Sequence, residues 1–337
     1  MMKEALLYQK IDKDKVICNL CNHQCTLKNN QWGICRVRQN KEGILYTWTY
    51  DRIIAEHVDP IEKKPLFHFF PGSKSYSIAT AGCNFQCRFC QNYNIAQMPR
   101  DHGQISGIPM TPDQIVQTAL RDGCKTIAYT YTEPTIYFEL ALETAQIAHK
   151  YDIKNVFVSN GYMSADAIKM IAPWLDAANI DLKSFDDTFY RKYCGGKLQP
   201  VLDNLIRLKK NKVFLEITTL IVTGLNDDPE VLKKTADFIV QELGSDTPWH
   251  ISRFHPTYRL KDRNATSIET LQNARKIGMD AGLRYVFTGN VPGDKGESTF
   301  CHKCGKLLID RYGFTIQSNM IQNNACPDCQ TPVNIVF

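Results

Sequence analysis

The chain has 337 residues, 43% hydrophobic and 22% charged, with 16 Phe and 15 Tyr spread along it, which excludes fibrous, low-complexity and extensively disordered classes and leaves room for one large core plus appendages. Its formal net charge of +5 counts every thiol as neutral, and metal-bound thiolates would offset it, so the sum does not argue for nucleic acid. No apolar run approaches the roughly 20 residues of a membrane helix, and Met1-Met2-Lys3-Glu4 lacks the apolar stretch of a secretory signal, so a cytoplasmic address and no membrane partner are expected.

Of 13 cysteines, all but Cys124 and Cys194 fall into three clusters. In a reducing compartment such clusters are metal ligands or reactive thiols more often than disulfide halves. Residues 1–60 form a first segment with little periodicity and with Cys18, Cys21, Cys25 and Cys35. Their spacing suits a four-thiolate zinc site, with His23 able to replace one ligand, or an iron–sulfur cluster.

Residues 61–292 form a second unit, in which apolar strands alternate with amphipathic helices from about residue 75. The expected pairs are strand 76–80 with helix 111–121, 126–130 with 135–150, and 155–158 with 165–174. They continue with 178–182 and 201–210, 213–221 and 229–242, and 249–254 and 268–281, and an apolar stretch at 284–287 closes or flanks the sheet. Such alternation predicts parallel strands with right-handed crossovers, as an open doubly wound sheet or a barrel. Glu133, Ser159 with Asn160, Asp181 with Lys183, and Arg253 with His255 all fall at or just past strand carboxyl ends, the rim where barrel enzymes carry their chemistry. Each also has a plain reading: Glu133 as a helix cap, Asp181 and Lys183 as an ion pair, His255 as a loop residue. Lys209-Lys210 and Lys233-Lys234 read as solvated helix faces, and no nucleic-acid partner is expected. Cys124 reads as a buried thiol and Cys194 as a member of a flexible loop.

Residues 293–337 form a third segment, in which Cys301-x2-Cys304 and Cys326-x2-Cys329 pair as the two knuckles of a zinc-ribbon or rubredoxin-like site for zinc or iron, structural zinc being favoured. Gln330 stands where a glycine commonly follows the second knuckle.

The loop after the first barrel strand, Ala81-Gly-Cys83-Asn-Phe-Gln-Cys87-Arg-Phe89-Cys90, places three thiols on one short turn. Three thiolates leave one iron of a four-iron cubane without a protein ligand; the alternatives are a three-thiolate zinc site or buried structural thiols. The Cys-x3-Cys-x-aromatic-Cys pattern resembles the signature of the radical S-adenosylmethionine (SAM) superfamily. Asp59 to Gly72, Cys90-Gln-Asn92, Tyr129 to Thr135, Asn179-Ile-Asp-Leu-Lys183 and Gly289-Asn290 resemble its pyruvate formate-lyase activating-enzyme-like branch, and within that the radical SAM protein of the AmmeMemoRadiSam system.

The resemblance implies a partial (β/α)6 radical SAM barrel, flanked here by small Cys-rich metal-binding N- and C-terminal segments. It implies a [4Fe-4S] cluster on Cys83, Cys87 and Cys90, whose open iron takes SAM and whose electron cleaves it to a 5′-deoxyadenosyl radical. Phe89, Thr132, Glu133, Ser159, Asn160 and Asp181 are the implied cofactor contacts, with Asp181, Lys183 and His255 facing cofactor or substrate. Tyr131-Thr132-Glu133 replaces the Gly-Gly-Glu of many members, keeping the carboxylate but not the glycines. The implied partners are an electron donor such as ferredoxin or flavodoxin and an unidentified small-molecule or protein substrate. The competing functions are a glycyl-radical activating enzyme with a protein partner, an RNA-modifying radical SAM enzyme, and a non-catalytic metal-binding adaptor.

Overall fold

The structure, a computed structural model, describes residues 2–337. Its central sheet comprises β1 (Arg52–Pro60), β2 (Lys74–Thr80), β3 (Ile108–Pro109), β4 (Thr126–Tyr129), β5 (Lys154–Ser159), β6 (Ala177–Asp181), β7 (Phe214–Ile221), β8 (Trp249–Arg253) and β9 (Val286–Gly289). The spatial order is β9-β8-β7-β6-β5-β4-β2-β1-β3. From β2 through β4 to β9 each strand lies parallel to the next, whereas β1 is antiparallel to both β2 and β3. Because the parallel strands keep their chain order, right-handed crossovers put every helix on the same face. That is the order of an open barrel; a doubly wound sheet would reverse direction midway.

The crossover helices are α1 (Pro112–Arg121), α2 (Phe138–His149), α3 (Ala165–Ile171), α4 (Leu198–Lys210), α5 (Pro229–Phe238) and α6 (Ile268–Asp280). Their starts are written locally. Thr111 and Gln114 form a reciprocal capping box at α1, while Ser164, Asp228 and Ser267 accept first-turn amide hydrogens at α3, α5 and α6. Strands such as Thr126–Tyr129 are buried throughout, as expected when both faces of a parallel sheet are covered.

The expected units are present with adjusted ends. The helix expected at 135–150 opens as a 3-10 turn, Pro134–Tyr137, and the one at 165–174 tightens to 3-10 at Ala172–Trp174, where Pro173 removes an amide donor. The 284–287 stretch becomes an edge strand, β9, paired with β8. The strand Arg52–Pro60 lies on the N-terminal side of a boundary at residue 60, yet it pairs along β2 and is part of the central sheet.

The flanking segments sit at opposite ends of the barrel. The N-terminal one packs at the carboxyl end: Cys21 bridges Met163, and the Asn22 amide side chain donates to the Met163 carbonyl at 2.5 Å, just past β5. Its Val16, Leu27, Val37 and Leu45 join the main core. The C-terminal segment packs at the amino end, where Leu308, Ile309, Val333 and Ile335 cluster with Phe67, Tyr285 and Phe287. Arg311, buried, donates through Nη2 to the Phe67 carbonyl at 2.7 Å. His68 contacts the Asn334 carbonyl through Nδ1 at 3.1 Å, and its amide donates to Glu216 at 2.8 Å. No helix is long and apolar enough to cross a membrane.

Candidate active site

β2 ends at Thr80, and the chain turns through Gly82 at φ +109°, where a Cβ would stand 2.7 Å from Val37 Cγ1. The cysteine loop that follows is clamped by a second loop. The Gln86 amide donates to the Cys194 carbonyl at 2.7 Å and the Arg88 amide to the Tyr193 carbonyl at 2.9 Å. Gly196 lets that loop approach, since a Cβ there would lie 2.4 Å from the Phe85 ring. Around Cys83 Sγ gather the Phe85 amide at 3.3 Å and the Asn160 side-chain amide at 3.9 Å, donors of the kind that stabilise a ligating thiolate. Burial, then the Glu133 charge, pushes the Cys83 thiol well above its usual range, and burial takes Cys90 to about 12.

Cys194 is not on a flexible loop. It ends a π-helical turn, Tyr190–Cys194, whose two end residues are buried, and is itself fully covered. The neighbouring Cys194 thiol, ahead of the nearby Lys183 charge, holds Cys87 below its usual range; burial, then Cys87, raises Cys194. Cys124 is buried, as the sequence suggested.

Glu133, 1% exposed, is held by four donors: the Thr135 amide at 3.1 Å and hydroxyl at 2.5 Å, the Ser159 hydroxyl at 2.8 Å and the Asn160 amide at 2.8 Å. It therefore does cap the turn at Pro134, and it also ties that turn to the end of β5. All four donors are neutral, and burial raises its pKa. Asn160 reaches on to Asn84 at 2.7 Å, linking the carboxylate to the cysteine loop. Preceding Glu133, Tyr131 adopts φ +58°, in the left-handed region that favours glycine. Its hydroxyl donates to Asp59 and its ring lies 4.5 Å from Lys64 Nζ, contacts that hold a backbone conformation L-residues disfavour. Thr132 donates to the Thr80 carbonyl at 2.8 Å.

At the end of β6, Lys183 Nζ pairs with Asp181 at 2.8 Å. Burial opposes the lysine's charge, but Asp181 and the nearby Cys87 and Cys194 outweigh it and hold its pKa well above normal. The Asn226 amide donates to the Lys183 carbonyl at 2.6 Å and the Tyr190 hydroxyl accepts from its backbone amide at 3.0 Å, so the lysine is braced on both sides. Phe89 is buried against Phe189, ring centres 5.7 Å apart. Arg253 donates to the Thr266 carbonyl at 2.8 Å. His255 is exposed on the loop after β8, and the contacts that join the other residues run without it. Asn84, Tyr190 and Asn226 were missed beside the site; at Cys194, singled out only as a loop cysteine, Gly195-Gly196 was the available signal for a close loop approach.

The triad fits an iron–sulfur cluster on the chemistry of its surroundings: three thiols on one turn, amide donors at a sulfur, a lysine near Cys87 and Cys90, and apolar Phe85 and Phe89 alongside. A buried carboxylate with only neutral donors likewise fits a cationic ligand group. The C-terminal quartet is a different kind of site. Its four sulfurs lie within 4.8 Å of one another, with Cys301–Cys329 and Cys304–Cys326 both at 3.6 Å. A tetrahedron with ~2.3 Å metal–sulfur bonds has edges of ~3.8 Å, so one zinc or iron ion fits. The two knuckles match: Gly305 and Gln330 both take positive φ, and each amide donates to the first cysteine's carbonyl at 2.9 Å.

The chain is 44% identical, over 338 residues and 100% of both chains, to an uncharacterized protein of Methanocaldococcus jannaschii. It is 28% identical over 112 residues, 33% of this chain and 35% of the relative, to the (2S)-3-sulfopropanediol dehydratase activating enzyme of Klebsiella oxytoca. Among solved structures, a radical SAM methyltransferase from Sphaerobacter thermophilus superposes at TM-score 0.50 with 14% identity, covering 66% of this chain and 68% of that one, a likeness of fold. The family model of the radical SAM superfamily matches residues 77–239, the span that carries the cysteine triad, Glu133, Ser159, Asn160, Asp181 and Lys183. Residues 77–239 of the chain form a domain of the radical SAM superfamily.

Proposed function

We propose that the protein is a reductive SAM-cleaving enzyme in which Cys83, Cys87 and Cys90 ligate three irons of a [4Fe-4S] cluster and the fourth iron takes SAM. The observation that carries this reading is the three-thiol loop at the carboxyl rim beside a buried carboxylate whose donors are all neutral. When bound, the cluster supplies the single electron that splits the sulfonium, and the resulting 5′-deoxyadenosyl radical abstracts hydrogen from the substrate.

The residues of this chain have binding and shielding roles. Glu133 offers its charge to the cofactor's ammonium, and Ser159 and Asn160 hold that carboxylate in place. Lys183 offsets thiolate charge near Cys87, and Asp181 keeps it protonated. Phe85 and Phe89 exclude water from the thiols. Thr132 fixes the turn before Glu133, and His255 stands at the substrate-facing rim. A low-potential protein such as ferredoxin or flavodoxin is the reductant, and the C-terminal quartet holds structural zinc.

The test uses oxygen-free protein reconstituted with iron and sulfide, reduced with dithionite and given SAM. We expect 5′-deoxyadenosine from the wild type and none from Cys83→Ala/Cys87→Ala/Cys90→Ala; no product from a fully loaded wild type would overturn the proposal. A second reading, activation of a glycyl-radical protein, draws on the 112-residue likeness to an activating enzyme. It predicts a glycyl EPR doublet on a protein partner.

A further inference from the structure

Cys194 lies beside the triad without belonging to its spacing motif. The loop that carries it is joined to the cysteine loop on both sides of Cys87, by the Gln86 amide on the Cys194 carbonyl at 2.7 Å and the Arg88 amide on the Tyr193 carbonyl at 2.9 Å. Peptides bonded in this way hold facing Cα atoms about 5 Å apart, and a disulfide spans about 4.4–6.8 Å between Cα atoms. The two side chains also point the same way. Gln86 and Arg88 are exposed whereas Cys87 between them is buried, and exposed Lys192 stands two residues before buried Cys194. Both thiols therefore face the interior between the loops, close enough to perturb each other's ionisation.

The approach is built in on the Cys194 side. Gly195 takes φ +78°, and the Gly195 and Gly196 amides both donate to the Tyr190 carbonyl, at 2.8 and 3.2 Å, closing the turn that presents Cys194. Other thiols of the neighbourhood are directed elsewhere. Cys83 Sγ accepts the Phe85 amide at 3.3 Å and lies 3.9 Å from the Asn160 side-chain amide. Cys35, of the N-terminal quartet, backs onto Gly82, where a Cβ would stand 3.4 Å from its carbonyl. A buried second thiol held beside one that an oxidant attacks is the arrangement of a resolving cysteine, which captures a sulfenic acid before it is oxidised further.

We propose that Cys194 is the resolving thiol of Cys87: when peroxide empties the triad, the two form a reversible disulfide that keeps Cys87 from irreversible oxidation, so the site can be refilled once reduced. The disulfide rests on the two loops alone; refilling rests on the cluster reading above. Two electrons pass from sulfur to peroxide. The Cys87 thiol and hydrogen peroxide give a sulfenic acid and water; the Cys194 thiol then displaces the sulfenic hydroxyl as a second water, and the sulfur–sulfur bond forms. A small dithiol reverses the step by exchange, becoming a cyclic disulfide while its two hydrogens return to Cys87 and Cys194.

Full-length protein, reconstituted without oxygen, is treated with hydrogen peroxide until its iron is released. Free thiols are alkylated in denaturant and the chain is digested with trypsin without reductant, which places Cys194 in 193–197, Cys83 and Cys87 in 75–88, and Cys90 in 89–100. We expect tandem mass spectrometry to find 193–197 joined to 75–88 through Cys87 in most chains, and freed by dithiothreitol. Cys194 recovered alkylated, or joined to any other cysteine, overturns the disulfide. For the protective role, peroxide-treated protein is reduced with dithiothreitol and offered iron and sulfide. Labile sulfide is counted above that of Cys83→Ala/Cys87→Ala/Cys90→Ala treated alike, and each protein is compared with its own untreated value. The wild type should regain most of its sulfide and Cys194→Ser less than half, with Cys87 of the variant carrying a sulfinic acid. Equal recovery in the two overturns protection. A joined 193–197 in protein that never holds triad-dependent sulfide would sink the cluster reading and leave the disulfide standing.

Discussion

Replacing Arg38 with alanine should be among the most damaging single changes in the N-terminal segment. Arg38 and its partner Glu139 are each 1% exposed, on opposite sides of the seam between that segment and α2. Arg38 also donates to the Leu6 carbonyl at 3.0 Å, and Glu139 accepts the Leu6 amide at 2.7 Å, so two charges and the bend at Leu6 depend on each other. Removing the guanidinium leaves a buried carboxylate whose one remaining donor here is a neutral amide; breaking a buried pair in this way costs about 3–5 kcal/mol. Replacing both partners with apolar residues of similar volume, Arg38→Met/Glu139→Leu, removes the uncompensated charge and should return to within about 2 kcal/mol of wild type. Urea unfolding at matched metal content measures both. A cost below about 1 kcal/mol for Arg38→Ala, the value of an exposed pair, would refute the reasoning.

His68 is fully buried and held down to about 4, chiefly by burial. A folded-state pKa below the unfolded value of about 6.5 gives stability that is present above pH 6.5 and lost as pH falls toward 4, about 3 kcal/mol in all. Urea midpoints of wild type should therefore drop more steeply over that window than those of His68→Asn, and equal slopes would count against the assignment. Gly82→Ala forces a Cβ to 2.7 Å from Val37 Cγ1 at φ +109°, so labile sulfide should fall below half of wild type; Gly103→Ala, with positive φ but no neighbour within 4 Å, should retain it. Cys326→Ser should release one metal ion per chain and loosen the C-terminal segment to protease while leaving labile sulfide unchanged; loss of sulfide together with that ion would show the quartet is not a single-ion site.

The barrel was legible because each parallel strand is an apolar run and each helix announces its start, as at Thr111-Pro112 and Asp228-Pro229. The rim residues were legible for the same reason, since strand ends could be placed to within a few positions. Long-range partners were not. Nothing local says that Cys194 returns to Cys87 across a 107-residue separation, or that the N-terminal cysteines lie at the same end as the triad. The π-helical turn that buries Cys194 depends on tertiary packing of Tyr190 and Phe85, which periodicity cannot report. Tyr131 shows a further limit: without its Asp59 partner, 72 residues away, a tyrosine at a glycine-like position reads only as a departure from the motif.

The central claim is that a cubane on Cys83, Cys87 and Cys90 keeps one iron open for SAM. Mössbauer spectroscopy of 57Fe-loaded protein addresses it directly, with Cys83→Ala/Cys87→Ala/Cys90→Ala marking any iron held outside the triad. On adding SAM, one iron of the four should shift to the parameters of a higher-coordinate site while the other three stay unchanged. Four irons that remain equivalent and unmoved by saturating SAM would contradict the account.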